Sequence, residues 1–145
     1  MTINQALKEK NRLVGKLRNV DNKIQKSAKW VKGNEPPYSL SDLFDERTAI
    51  RQDLVNLKTA ISYATSPIVG KIILLAEVKG ELTMYKSLDV AKGLIHDRYS
   101  STAPIEYESA LNQKDLDSLI ESCETKISTL QDELDKFNAT TDIPL

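Results

Sequence analysis

QKDLDSLIESCETKISTLQDELDKF, residues 113–137, is the stretch from which the fold is read. Its seam runs through Leu116, Leu119, Cys123, Ile127, Leu130, Leu134 and Phe137, spaced by threes and fours with no polar break. On a helix of ~3.6 residues per turn this is one narrow seam, and a narrow seam needs a partner helix to cover it. Asn112 stands in front as an N-cap, and Asp115 and Asp117 fall in the first turn, where acids favour the positive helix end. The spacing predicts a helix over 113–138, followed by an extended tail over 139–145, because Ile143-Pro144 disfavours helix.

The same pattern recurs upstream. Ile3, Leu7, Val14, Leu17, Ile24, Ala28 and Val31 form a seam interrupted by Lys10 and Asp21, which predicts a first helix over 1–32. Gly33-Asn34 suits a left-handed C-terminal residue, and Pro36-Pro37 cannot continue a helix. Ser39, with Asp42 three residues on, reads as the N-cap of a second helix over 39–65. Its seam is Leu40, Leu43, Ile50, Leu54, Leu57, Ile61 and Ala64, broken by Arg47 and widened by Phe44. A short connection between helices of similar length makes them antiparallel neighbours.

Ser66-Pro67 punctuates the chain, and a third helix is expected over 71–97. Ile72, Ile73, Leu75, Ala76, Leu82, Tyr85, Leu88, Ala91, Leu94 and Ile95 give it a stripe wide enough for more than one neighbour. From 99 to 112 helical spacing is lost, and Ile105, Tyr107, Ser109 and Leu111 alternate as an extended arm or edge strand does. The expected architecture is all-α. It consists of about four helices in long antiparallel coiled-coil hairpins, within a single domain over 1–145, with a short arm between helices 3 and 4.

The net charge of −1 gives no overall pull toward nucleic acid or an anionic surface. Its distribution is uneven: residues 8–32 carry nine Lys or Arg against two acids, and residues 113–138 seven acids against three Lys. A lone cysteine, Cys123, makes no internal disulfide, so nothing in the chain calls for an oxidising compartment and the cytoplasm is the expected location. Residues 1–11 lack the apolar core of a signal peptide, and the longest apolar run, Ile72 to Ala76, is far short of the ~20 residues that span a bilayer, so no transmembrane segment is expected.

The residue types that carry chemistry are scarce. His96 is the single histidine, and its neighbour Asp97 does not share its helix face. Cys123 lies on a seam, where a buried and inert thiol belongs. No spacing of ligands suggests a metal. Gly70-Lys71 fails as a phosphate loop, since Thr65 stands where the first glycine belongs and Ile72 follows the lysine. The residues therefore predict no enzyme, no catalytic site, no cofactor and no metal.

Two sets of residues remain as candidates for binding. The cations Lys8, Arg12, Lys16, Arg18, Lys23 and Lys26 of the first helix admit two readings. They can flank the seam and set its pairing with acids of another helix, or face outward and meet phosphates, with Trp30 as a stacking surface. The second set lies at helix ends, where binding residues concentrate: Lys29, Trp30, Lys32 and Glu35, Arg98 and Tyr99, and Asn138, Thr140 and Thr141.

The order of parts resembles a family of small bacterial helical proteins described as septicolysin-like. Ser27-Ala28-Lys29-Trp30-Val31-Lys32-Gly33-Asn34-Glu35-Pro36 is similar to the family's Asn-Ala-Lys-Val-Gln-Glu-Gly-Glu-Glu-Pro stretch. Arg98-Tyr99-Ser100 resembles its Arg-Tyr-Ser turn, and Asn138-Ala139-Thr140-Thr141 its closing Asn-Trp-Thr-Thr motif. Trp30 and Ala139 depart from the pattern, as does the stretch from Ser101 to Ile105. The resemblance implies a helical fold, and the family's name implies a cytolysin. Neither a spanning helix nor paired ten-residue strands, which a pore requires, can be read in this chain.

The function expected from the residues is that of a non-enzymatic structural or protein-interaction protein that associates with copies of itself. The alternatives are a nucleic-acid-binding module acting through the first helix and, less favoured, a cytolysin-like protein acting on membranes.

Overall fold

The computed structural model describes residues 1–95 and 103–144, and most of them are helical. In chain order the elements are α1 (Ile3–Ser27), α2 (Leu40–Thr65), a 3-10 turn (Ser66–Ile68), α3 (Val69–Ser87), β1 (Gly93–Ile95), β2 (Ile105–Tyr107) and α4 (Gln113–Thr140). The 3-10 turn joins α2 to α3 without a break, so Leu40–Ser87 is one helical run. Counted this way, the described residues hold three helical runs where the sequence separates four. Contacts divide the chain into two compact units, Met1–Ile68 with Asp135–Leu145, and Val69–Leu134. The boundary falls inside a helical run, and composition therefore gives no linker to mark it.

In the first unit α1 and α2 are antiparallel neighbours around a core that includes Ile3, Ala6, Leu13, Val20, Leu43, Ile50, Leu54, Leu57 and Ile143. The α2 seam follows the spacing of its sequence, except that Phe44 is exposed. The α1 seam is turned by one residue from the expected one. Ala6, Leu13, Val20 and Ser27 are buried at intervals of seven, while Val14, Ala28 and Val31 are exposed. Leu17 and Ile24 belong to both patterns and are partly buried. The expected seam would have put Asp21 at its centre. Turning the helix moves Asp21 to the flank, where it accepts a hydrogen bond from Arg47 Nε at 2.7 Å.

The Thr2 hydroxyl caps α1 by accepting from Gln5 N, and the Gln5 side chain accepts from Thr2 N at 2.9 Å. α1 ends at Ser27, short of the expected 32, because residues 28–39 are all exposed and offer no packing to hold a further turn. Gly33 does take a left-handed φ of 93°, within a separate turn in which Asn34 N donates to Val31 O at 3.0 Å. At the other end of the helix, α4 is closed against α1. Ile3 N donates to Thr141 O and Ile143 N to Met1 O, both at 2.9 Å, and Ile143 is buried.

In the second unit α3 and α4 are antiparallel, joined by Lys71–Glu133 at 2.7 Å and Lys86–Glu124 at 3.6 Å. Asn112 caps α4 as expected, accepting from Asp115 N at 2.8 Å. Leu116, Cys123, Leu130 and Leu134 are buried along its seam and Ile127 is partly covered, but Leu119 is exposed and the neighbouring Ile120 takes its place. α3 stops at Ser87, ten residues before the expected end. Its last turn tightens through Leu88 N to Tyr85 O, and the Asp89 carboxylate accepts from Ala91 N, taking that N–H away from a helix. Gly93 follows with φ 94° and opens β1, which pairs antiparallel with β2 in the register Gly93 to Tyr107, Leu94 to Glu106 and Ile95 to Ile105. β2 lies within the expected arm, whereas Leu94 and Ile95 are strand residues and not helical ones.

Candidate functional site

Three surfaces present residues that no packing explains. The first is the outward face of α3. At ~100° per residue, Val69, Ile72, Ile73 and Ala76 lie on one face, roughly opposite Leu75, Val78 and Leu82. Leu75 and Val78 are buried, whereas Val69, Ile72, Ile73 and Leu74 are exposed, Ile73 to 59%. The wide stripe expected for the third helix is thus divided, and only one part of it has a neighbour in the second unit. Beside the covered part, a groove of about 260 Å³ opens between Leu74 on α3 and Thr125, Lys126, Thr129 and Leu130 on α4.

The second surface is the cationic side of α1. Lys8, Arg12, Lys16, Arg18 and Lys26 are exposed. Arg12 is held within its own helix by Glu9, whose carboxyl is lowered by that hydrogen bond. Lys23 is partly covered and sits 5.1 Å from the centre of the Tyr38 ring, a cation–π contact that ties the end of α1 to the start of α2. Among the described residues, the cross-helix ion pair of α1 is Asp21 with Arg47, so its cations are not matched to acids of α2. A groove of about 360 Å³ beside them is lined by Glu9, Arg12, Lys16, Ile50 and Asp53, of mixed sign.

The third is the connection from α1 to α2, where Lys29, Trp30, Lys32 and Glu35 are all exposed. The other members of that candidate set lie elsewhere. Asn138, Thr140 and Thr141 are at the opposite end of α1, toward Thr2 and Ile3, where Thr140 and Thr141 serve the structure. The Thr140 hydroxyl donates to Lys136 O at 2.8 Å, and Thr141 O accepts from Ile3 N. α1 is 25 residues long, so the two groups stand ~37 Å apart and form no common site. Arg98 and Tyr99 lie outside the described residues, as does His96.

Cys123 is 4% exposed, and burial first, then the nearby Glu81 carboxylate, push its thiol up from the ordinary range. A thiol held protonated and covered is a poor nucleophile. Tyr85 is pushed up as well, chiefly by its hydrogen bond to Glu81. Among the described residues no group of three His, Cys, Asp or Glu is placed to hold a metal ion. One window of 18 residues within Leu40–Ser87 is long and apolar enough to cross a membrane, where the sequence reading expects none, and 11% of it is buried. Helices of proteins that never enter a bilayer meet the same criterion, so the window assigns no membrane role.

No family model matches the chain. No curated protein matches it either. Among solved structures it is similar to a functionally unknown conserved protein from Corynebacterium diphtheriae, with a TM-score of 0.78, 16% identity and 99% of each chain covered. That likeness shows a shared fold.

Proposed function

We propose that this is a non-enzymatic helical interaction protein that associates with copies of itself, its four helices paired as antiparallel coiled-coil hairpins. The observation that carries the reading is the uncovered face of α3, where Val69, Ile72 and Ile73 meet solvent side by side. Apolar surface of this kind gains about 25 cal/mol for each Å² removed from water, and a second copy supplies the cover at no cost in new sequence. Size-exclusion chromatography with light scattering tests it. A mass of two or more chains at tens of micromolar is the expected result, and one chain at every concentration refutes it.

A second reading is favoured by the exposed cations of α1, which leave the first helix free to meet a polyanion. On that reading, binding to single- or double-stranded DNA or RNA falls steeply with salt and weakens when Lys16, Arg18 and Lys23 become Gln. Absence of binding at low salt excludes it. The cytolysin implied by the septicolysin-like resemblance predicts dye release from liposomes, and intact liposomes exclude that in turn.

A further inference from the structure

The small net charge of the chain conceals a division between its units. The first carries thirteen Lys or Arg against nine acids, and the second seven against twelve, so they are +4 and −5. Each unit of one copy therefore finds its electrostatic complement in the other unit of a second copy.

Two helix faces fit this complement residue by residue. On α2, Phe44, Thr48, Arg51 and Val55 follow at intervals of four, three and four, share one side of the helix away from the seam, and are all exposed. On α3, Ile73, Glu77, Gly80 and Met84 repeat those intervals and are exposed too. We propose that α2 of one copy lies antiparallel on α3 of a second copy, setting Phe44 against Met84, Thr48 against Gly80, Arg51 against Glu77 and Val55 against Ile73. The proposal rests on the self-association argued above and names its surfaces.

Charge decides the direction. Antiparallel packing gives apolar pairs at both ends with a cation on an anion between them. Parallel packing sets Thr48 on Glu77 and Arg51 on Gly80, and both charges then lose water without gaining a partner. Gly80 fits the same arrangement. A Cβ added there would meet nothing within 4 Å in its own chain, so the fold of the second unit does not require glycine. A bare backbone opposite Thr48 lets two helices approach closely.

Charge reversal tests the contact, because Arg51 and Glu77 are exposed and their replacement leaves the helical circular dichroism unchanged. In sedimentation velocity, Arg51→Glu alone and Glu77→Arg alone each raise the self-association Kd about tenfold or more. The double variant, and an equal mixture of the two single variants, return it to near the native value. A native protein that associates with a Kd indifferent to both reversals, or a double variant and mixture that stay weak, overturns this contact while leaving self-association standing. A native protein that stays a single chain overturns both, and if that chain also floats with neutral phosphatidylcholine vesicles, lipid is what covers the α3 face.

Discussion

Arg47 of α2 donates through Nε to Oδ1 of Asp21 on α1 at 2.7 Å, and both side chains are little more than one-third exposed. The pair agrees with the rotation of α1, which buries Leu13 and Val20 and leaves Asp21 on the flank of the seam. Partly exposed ion pairs contribute ~0.5 kcal/mol, more when well aligned. A double-mutant cycle with Asp21→Ala and Arg47→Ala, read by urea denaturation, is expected to return a coupling of about 0.5–1 kcal/mol.

The rotation itself is open to test at two adjacent residues. Leu13 is 6% exposed and Val14 36%. Leu13→Ala should therefore destabilise the protein by about 2–4 kcal/mol, and Val14→Ala by less than about 1 kcal/mol. Equal losses in urea or thermal unfolding would return α1 to the seam expected from its spacing.

Ser27 closes the same row of buried residues, 1% exposed, with a hydroxyl that has no hydrogen-bond partner among the described residues. A buried hydroxyl without a partner retains the cost of leaving water, and Ser27→Ala removes it. Stabilisation of about 1 kcal/mol is the expected result, measured as a higher urea midpoint at unchanged slope.

Cys123 and Tyr85 make stability depend on alkaline pH. Burial raises Cys123 above its ordinary 9.0, and the hydrogen bond to Glu81 raises Tyr85 above 10.0. Each group holds its proton longer folded than unfolded. Their contribution is complete below the ordinary values and is lost as pH climbs through the raised ones. The urea midpoint should accordingly fall as pH rises past 9.0, and Cys123→Ala with Tyr85→Phe should flatten that fall. The native thiol should also resist Ellman's reagent until the protein is unfolded.

Much of this was legible in the residues, and the gaps have identifiable causes. The seam of α2 reads directly, whereas in α4 the adjacent Leu119 and Ile120 both suit the spacing, and it is Ile120 that is partly buried while Leu119 is exposed. In α1 two heptads share Leu17 and Ile24, and one uses Leu7 and Val14 where the other uses Ala6, Leu13 and Val20. What separates them is Asp21, whose partner Arg47 lies 26 residues away and is invisible to local spacing. The end of α3 misreads for the opposite reason. Leu88, Ala91 and Leu94 keep helical intervals, but the local bond from Ala91 N–H to Asp89 and the left-handed Gly93 prevail.

Among the candidate surfaces, the exposed Lys29, Trp30, Lys32 and Glu35 follow from turn chemistry. The separation of Asn138, Thr140 and Thr141 from them does not, because it depends on how α4 closes against Thr2 and Ile3. A wide stripe announces that α3 is apolar on two sides. Spacing carries no information on which side is covered within the chain, and Ile72 and Ile73 prove to be on the open one.

The most direct test of the account is sedimentation equilibrium of the native protein beside Ile73→Asp over one concentration series. Ile73 is exposed in the single chain, so its replacement spares the fold. The native mass is expected to rise from one chain toward two with concentration, while the variant remains a single chain throughout. Native and variant proteins with the same mass at every concentration would contradict it.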